Sequence, residues 1–268
     1  MGRKLGRAGG ASAMILRRTA EAFRRQDWFT VTVETLMVVL GVFLGLQVNN
    51  WNEARADAVR SREYLSRIRA ELVADMTQLE RHRGLWQTGA SEGYVAISYA
   101  ETGARGGATD WEILRAFLHA SQSHQLSFVD TTYSELRSAG ELRLIADAGL
   151  RSALAEYYVL VAVRRGGLGP YQVLPEYREM VRGRMRSDIM RYYWQACYQQ
   201  SAGVTTFIDC PAPEGATGIA DIIRQLAADQ EIMDALRYWT DTQRMAVELA
   251  GFDLGRAQSL IDRVDDQT

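Results

Sequence analysis

The sequence is poor in proline, cysteine, histidine and lysine, and each shortage excludes a class of protein. Its 268 residues include four prolines and two cysteines, too few for a turn-rich all-β fold or a disulfide-dense scaffold. A single lysine stands against 30 arginines. Because arginine is spread evenly along the chain, we interpret this excess as base composition of the gene. The formal net charge of -2 argues against a nucleic-acid-binding protein.

Motifs for catalysis, nucleotide binding and metal binding are also lacking. The chain has no H-E-x-x-H, no Walker loop, no G-x-S-x-G and no dinucleotide glycine fingerprint. His119 and His124 are five residues apart, whereas two ligands on one helical face need a spacing of four. We therefore predict a protein that is not an enzyme, with no catalytic, cofactor-binding or metal-binding residues.

The strongest positive signal is one long apolar run from Trp28 to Val48. As a helix it spans roughly 31 Å, which matches a hydrocarbon core of about 30 Å. Trp28 and Trp51 lie near its two ends, where indole rings favour the headgroup boundary. The alternatives are a buried soluble helix and a signal peptide cleaved after the small residues Ala54 and Ala56. The apolar run is longer than the ~7–15 residues usual in a signal peptide, which favours an uncleaved signal anchor.

The basic flank of this run predicts its orientation. Residues 1–27 hold seven basic and two acidic side chains, and positive flanks stay in the cytoplasm. We predict a basic cytoplasmic segment over 1–27, a transmembrane helix over 28–48 and an exported domain over 49–268. In a bacterium the bilayer is the inner membrane and the exported domain is periplasmic. Residues 14–27 suit either a short interfacial helix or an unstructured flank.

Two features inside the run predict more than anchoring. Gly41 and Gly45 form a G-x-x-x-G motif, which lets two membrane helices approach closely. Glu34 is the one ionisable group in the run, and it is costly if charged and facing lipid. It can snorkel, stay protonated, hydrogen-bond to Thr30 four residues earlier, or bond to a partner helix. We predict association through Glu34, Gly41 and Gly45, with a second copy or with other membrane subunits.

The chain after Trp51 shows the three-to-four-residue periodicity of amphipathic helices. A first helix is predicted to continue without interruption as far as Tyr99, and Asp110 is predicted to cap the next. The apolar positions of the first helix are Tyr64, Leu65, Ile68, Leu72, Met76, Leu79 and Trp86.

The segment 130–161 predicts two helices in succession. Asp130 or Thr131 begins the first, and Gly140 ends it in a left-handed conformation. A short apolar connection follows, and Asp147 caps the second helix. The face of that helix is predicted from Leu150, Leu154, Tyr157, Tyr158 and Val161.

The remaining sequence predicts a break, two helical stretches and one loop. Glycines and Pro170 interrupt the chain at 166–170, and a long helix is predicted over about 171–199. A loop over 200–217 precedes a final helical region beginning at Ile219. The predicted fold class is therefore all-α, with one transmembrane helix followed by a bundle of three or four long antiparallel helices and shorter ones.

The two cysteines, Cys197 and Cys210, bracket the predicted loop. In an oxidising compartment such a pair is expected to form a disulfide. The alternative is two separate buried thiols.

Two stretches of sequence carry a family resemblance. One combines residues 26–29 (QDWF) with 38–53 (VVLGVFLGLQVNNWNE), and the other is 132–145 (TYSELRSAGELRLI). They resemble the two signatures of a family of uncharacterised bacterial single-pass membrane proteins, and the acidic Glu34 also fits that family. The resemblance implies the same topology and implies no activity.

These observations lead us to expect a membrane-anchored periplasmic helical bundle with a structural or interaction role, either oligomerising or serving as an accessory subunit. The alternative is a periplasmic ligand-binding or sensor-like module that works through a membrane partner, because the short cytoplasmic segment holds no output domain. An enzyme is a third possibility, but the sequence shows no set of residues that would form a catalytic site.

Overall fold

The computed structural model describes residues 28–165, 174–201 and 204–267. Most of the described residues are helical and few are in strands, which confirms the predicted all-α class. The predictions for residues 1–27 and for the break at 166–170 lie outside the described residues.

The described elements are eight α-helices, one 3-10 turn and one β-hairpin. The two strands are antiparallel, with Tyr198 opposite Phe207 and Ser201 opposite Val204. In chain order the elements are α1 (Trp28–Thr102), α2 (Asp110–Ala120), α3 (Thr131–Ser138), the 3-10 turn (Leu142–Leu144), α4 (Ala148–Arg165), α5 (Glu176–Gly183), α6 (Ser187–Ala196), β1 (Tyr198–Ser201), β2 (Val204–Phe207), α7 (Ile219–Ala228) and α8 (Gln230–Asp265).

The chain divides into two compact units between Arg60 and Ser61. Helix α1 runs without interruption from Trp28 to Thr102, so the helix has no break at the predicted boundary between residues 48 and 49. The prediction that one helix continues beyond the apolar run is confirmed, and that helix ends three residues past Tyr99.

Within the second unit, residues 61–268, α1 and α8 run antiparallel. Arg69 pairs with Asp265 near one end at 2.6 Å, and Arg237 pairs with Glu101 near the other at 3.0 Å. Between these pairs the helices approach closely at Gly93, where an added Cβ would overlap the side chain of Thr240. The absence of a side chain at Gly93 therefore permits the contact.

A first core forms where the middle of α1 packs with α3, α4 and the second half of α8. The predicted helix start at Thr131 and the left-handed Gly140, with φ 69°, are confirmed. Asp147 accepts a hydrogen bond from the Leu150 backbone N–H at 2.5 Å, as predicted for a cap. The buried side chains of this core include Leu65, Ile68, Leu72, Leu79, Trp86, Tyr133, Leu136, Leu150, Leu154, Tyr157, Tyr158, Val161, Leu260, Ile261 and Val264.

A second core forms where the end of α1 packs with α2, α5, α6, α7 and the first half of α8. Its elements are short: α5 has 8 residues, and α6 and α7 have 10 each. The buried side chains of this core include Tyr99, Trp111, Ile113, Leu114, Phe117, Leu118, Tyr177, Val181, Ile189, Tyr193, Ile223, Leu226, Leu236 and Trp239.

The prediction of one long helix over 171–199 is wrong. Helix α5 ends at Gly183, α6 begins at Ser187, and the chain is already in β1 at Tyr198. Glycine is a weak helix former, and a serine followed by an acidic residue is a common helix start, so this junction carried a stop and a start signal within four residues.

Two further predictions are corrected nearby. The predicted loop over 200–217 contains strand β2, whose V-T-T-F sequence is rich in β-branched residues that favour strands. Helix α2 is capped by Thr109 rather than Asp110, because Thr109 and Glu112 form a reciprocal capping box.

Candidate functional site

The apolar run at the start of α1 has the length and composition of a membrane span. Its most apolar 18-residue window has a mean hydropathy of 2.1, and none of that window is buried. Apart from the half-buried Val31 and Val33, its large hydrophobic side chains from Trp28 to Val48 are between 48% and 77% exposed. Side chains of this kind are normally buried in a water-soluble protein, so this helix could be a single membrane span.

Glu34, Gly41 and Gly45 share one face of this helix. At about 100° per residue, Gly41 and Gly45 each lie about 20° from the direction of Glu34. A Cβ added to either glycine would meet no heavy atom within 4 Å. Among the described residues Glu34 has no hydrogen bond to Thr30. The face therefore combines a carboxyl group with two positions that carry no side chain.

Cys197 and Cys210 lie together in the second core. Their Cα atoms are 5.0 Å apart and their sulphur atoms are at disulfide-bonding distance. Both residues are buried. The Cys210 carbonyl also accepts a hydrogen bond from Trp111 Nε1 at 3.0 Å. The pair therefore joins the end of α6 to the segment that packs on α2.

A buried polar cluster fixes the residues that follow α2. Trp239 Nε1 donates to the Ala120 carbonyl at 2.8 Å. Gln243 Nε2 donates to the carbonyls of Ala120 and Gln122, both at 3.1 Å. The Gln122 side chain donates to the Tyr193 hydroxyl at 2.8 Å. These bonds hold the backbone of 120–122 between α8 and α6.

Arg178 and Arg182 lie one turn apart on α5 and face this fixed segment. Arg178 Nη1 lies 3.3 Å from Gln122 Oε1 and 3.4 Å from the Ser121 carbonyl. Arg182 Nε donates to Ser121 Oγ at 3.2 Å. Each acceptor is neutral, and no Asp or Glu among the described residues forms an ion pair with either arginine.

The environment of the two guanidinium groups disfavours their charge. Burial lowers the pKa of Arg178 below its ordinary value. Burial, together with the neighbouring charge of Arg178, lowers the pKa of Arg182 to about 10. Both groups stay protonated at neutral pH, so two like charges without an opposite charge are held side by side.

Aromatic rings complete the surroundings of Arg182. Its Cζ lies 4.9 Å from the Trp194 ring centroid, a cation–π distance. Trp194 in turn meets Tyr198 edge to face at 4.8 Å, and Trp194 is 36% exposed. The Arg182 Nη2 atom is buried with no hydrogen-bond partner among the described residues. One donor of this guanidinium is therefore unused.

The two histidines considered as metal ligands both contact the hairpin. The rings of His119 and His124 lie 4.6 Å and 5.7 Å from the Phe207 ring. His119 Nδ1 lies 3.6 Å from Glu92 Oε1. Burial, reinforced by His82 and Arg178, lowers the pKa of His124 to about 4. In the described part of the chain no group of three or more His, Cys, Asp or Glu side chains is placed to hold a metal ion.

The surface grooves of the second unit include two of more than 500 Å³. A groove of about 540 Å³ between α5 and α8 has Tyr177 and Trp239 among its aromatic lining and Glu176, Glu231 and Asp234 among its acidic lining. These carboxylates stand near helix N-termini, where negative charge is favourable without a ligand. A second groove of about 620 Å³ lies beside the α2 capping box.

No known protein family, curated protein or solved structure matches the chain. The family resemblance of its two sequence signatures therefore remains a prediction.

Sequence reasoning missed the arginine pair. The available signal was four arginines within nine residues at Arg178, Arg182, Arg184 and Arg186, with Glu179 as the one acidic residue among them. Only the fold distinguishes them, because Arg184 and Arg186 pair with acidic groups whereas Arg178 and Arg182 face neutral acceptors.

Proposed function

We propose that this protein is a single-pass bacterial inner-membrane protein whose periplasmic helical bundle has a structural or interaction role, working as an oligomer or as an accessory subunit. In this proposal the N-terminus is cytoplasmic and residues 49–268 are periplasmic. No catalytic activity is part of the proposal. The observation that supports it most directly is the single face shared by Glu34, Gly41 and Gly45.

The glycines supply close approach between two helices. Association of membrane helices depends on van der Waals packing and interhelical hydrogen bonds, and small residues four apart let the backbones come together. Because no other part of the described residues lies within 4 Å of a Cβ built on Gly41 or Gly45, we take their face as open to a second helix.

Glu34 favours association for a second reason, the cost of placing its polar side chain in lipid, which does not depend on how closely the helices pack. An acidic side chain inside the bilayer is costly when it faces lipid, by about 3 kcal/mol or more at the centre. A second helix on the same face offers it a hydrogen-bond partner, including the equivalent carboxyl group of another copy. The second copy is therefore the simplest partner that satisfies the whole face.

Crosslinking of the full chain in native membranes tests this proposal. Wild-type protein is expected to give a dimer or a larger adduct, and Gly45→Leu and Glu34→Leu are expected to lose it. The matched control is Val39→Phe, which adds comparable bulk about 140° away from Glu34 around the helix. A pattern in which wild type returns only monomer, or in which all three variants behave alike, contradicts association through this face.

The topology has its own test. Alkaline phosphatase fused after residue 268 is expected to be active, and a fluorescent protein that matures only in the cytoplasm is expected to be dark in the same position. N-terminal sequencing is expected to find no mature chain beginning near Asp57. The opposite reporter result would remove the periplasmic assignment and leave the association test unaffected.

A second candidate function is a periplasmic ligand-binding module working through a membrane partner. The specific observation in its favour is the arginine pair of α5, two half-buried cations that no carboxylate neutralises among the described residues.

A further inference from the structure

We propose that Arg178 and Arg182 form a binding site for a phosphate-type oxyanion. The inference deepens the second candidate function and does not depend on self-association of the membrane helix. It rests on charge, on an unused donor and on the rigidity of the surrounding segment.

The charge balance at this position is unusual for a protein interior. Removing a charge from water is costly unless an opposite charge compensates it. Here two guanidinium groups one turn apart on α5 are both desolvated, and the charge of Arg178 further disfavours the charged form of Arg182. A carboxylate would relieve this cost, and none among the described residues does so. An anion from solution would have the same effect.

The donors left free fit an oxyanion. Arg182 Nε is directed to Ser121 Oγ, while Nη2 has no acceptor among the described residues. Arg178 makes only long contacts of 3.3 and 3.4 Å to neutral oxygens. Guanidinium N–H groups bind carboxylate and phosphate oxygens with short, charge-assisted bonds. Each arginine therefore has more to gain from an anion than from its present acceptors.

The number of charges favours a phosphate over a carboxylate. A phosphate group near neutral pH carries between one and two negative charges and presents several acceptor oxygens. It can therefore accept from both guanidinium groups and neutralise most of their charge, whereas a single carboxylate leaves one positive charge uncompensated. Sulfate shares this chemistry.

The site is built on a fixed support. The segment 120–122 is held by the bonds that Trp239 and Gln243 donate to its carbonyls and by the bond that Gln122 donates to Tyr193. Trp194 lies at cation–π distance from Arg182. Because these contacts restrain the cations before any ligand arrives, little conformational entropy remains to be lost on binding. Free inorganic phosphate and the phosphate of a lipid headgroup are the two sources of this chemistry.

Isothermal titration of the full chain in dodecyl maltoside micelles, which contain no phosphate, with inorganic phosphate tests the first source. Chloride at equal ionic strength is the reference, because it screens charge without bridging two guanidinium groups. Saturable binding is expected for wild type. Arg182→Gln and Arg178→Gln are each expected to weaken it at least about tenfold, since each removes charge-assisted hydrogen bonds.

The matched control is Arg184→Gln. It removes the same charge two residues from Arg182, but Arg184 is exposed and already pairs with Asp229 at 3.0 Å. Phosphate binding is expected to be unchanged in this variant. Arg182→Gln without ligand is also expected to unfold at the same temperature as wild type or at a higher one, because the variant removes an uncompensated repulsion.

Anionic lipid tests the second source. If the headgroup is the ligand, nanodiscs containing phosphatidylglycerol are expected to raise the unfolding temperature of wild type more than that of Arg182→Gln. If the ligand is free phosphate, the difference in unfolding temperature between the two proteins is expected to stay unchanged.

The proposal is overturned if neither phosphate nor anionic lipid gives saturable binding. It is equally overturned if both arginine variants bind phosphate as wild type does. Crosslinking through α1 is a separate readout, so its failure would not be confused with either result.

Discussion

The first core is closed by long helices, whereas the second is assembled from short segments. In the first core, α1, α4 and α8 supply most of the buried surface, and each turn of helix is held by backbone bonds of its own. In the second core, α5, α6, α7 and the hairpin are each too short to be stable alone. The second core therefore depends more heavily on side-chain bonds and on covalent closure.

The two cores also differ in how their buried polar groups are paired. In the first core, Asp75 accepts from the Val129 backbone at 2.9 Å and from the Tyr157 hydroxyl at 3.3 Å, so its carboxyl group stabilises local structure. In the second core, Arg178 and Arg182 are left without an opposite charge among the described residues. This contrast agrees with our proposal that the second core holds the groups that bind a ligand.

Among the changes that would distinguish the two cores, loss of the cysteine pair is expected to have the largest effect on stability. Replacing Cys197 and Cys210 with alanine is expected to lower the free energy of unfolding by about 3 kcal/mol, because a short closed loop is released in the unfolded chain. Hydrogen exchange is expected to accelerate in β1, β2 and α6 before it does so in α4. Thiol titration of untreated protein should find no free thiol. Equal loss of protection in α4 would show that the two cores do not differ in this way.

Acid is expected to destabilise the second core, by slightly less than the loss of the disulfide does. His124 titrates near 6.5 when unfolded and near 4 when folded, so below pH 6.5 the unfolded chain binds more protons. This contribution is constant above pH 6.5, and about 2–3 kcal/mol is lost as the pH falls from 6.5 to 4. His82 from α1, Arg178 from α5 and the Phe207 ring face this imidazole.

Chemical denaturation of wild type and His124→Gln at pH 7 and pH 4.5 measures this contribution. The fall in stability between the two values should be smaller in the variant by most of that amount. Identical falls would show that His124 is protonated as easily in the folded protein as in the unfolded chain.

Sequence patterns predicted the first core better than the second. In the segment 130–161, apolar spacing, Gly140 and Asp147 all indicate the same two helices, and the structure contains both. Between residues 171 and 199 the spacing continued through Arg184–Arg186, where the helix in fact stops. Spacing alone cannot detect a break in which the apolar period resumes in phase. The hairpin has a local signal in the β-branched residues of V-T-T-F, but the prediction of a loop over 200–217 did not use it.

The two candidate sites also differ in whether their residues could be predicted from the sequence. Glu34, Gly41 and Gly45 were identifiable from sequence, because a charge and a glycine spacing inside an apolar run are local features. Arg178 and Arg182 were not identifiable from sequence. What distinguishes them is that no carboxylate among the described residues neutralises them, and this depends on which side chains every neighbouring element brings to α5.

A smaller effect is expected at the contact between α1 and α8. In Gly93→Ala the new Cβ would overlap Thr240 Oγ1 and lie 2.9 Å from Thr240 Cγ2 and 3.1 Å from Thr240 Cβ, so the Thr240 side chain or the helices must move. Overpacking of this kind lowers the free energy of unfolding by about 1–3 kcal/mol, partly offset by the better helix propensity of alanine. Gly84→Ala is the matched control: nothing lies within 4 Å of its Cβ, and it should stabilise by up to about 1 kcal/mol. Thermal unfolding that moves in the same direction for both variants would contradict the close approach.

The smallest effect is expected from single hydroxyl groups within the first core, and it tests whether Asp75 is held there as described. Tyr157→Phe removes the hydrogen bond to Asp75 and is expected to lower the free energy of unfolding by about 1–2 kcal/mol, because a buried carboxylate loses a donor. Tyr158→Phe is the matched control, since the Tyr158 hydroxyl is buried without a hydrogen-bond partner among the described residues. Its removal is expected to be neutral or slightly stabilising, because that hydroxyl is desolvated without compensation. Urea denaturation of the two variants separates these outcomes, and equal losses would indicate that ring packing, rather than the bond to Asp75, accounts for the role of Tyr157.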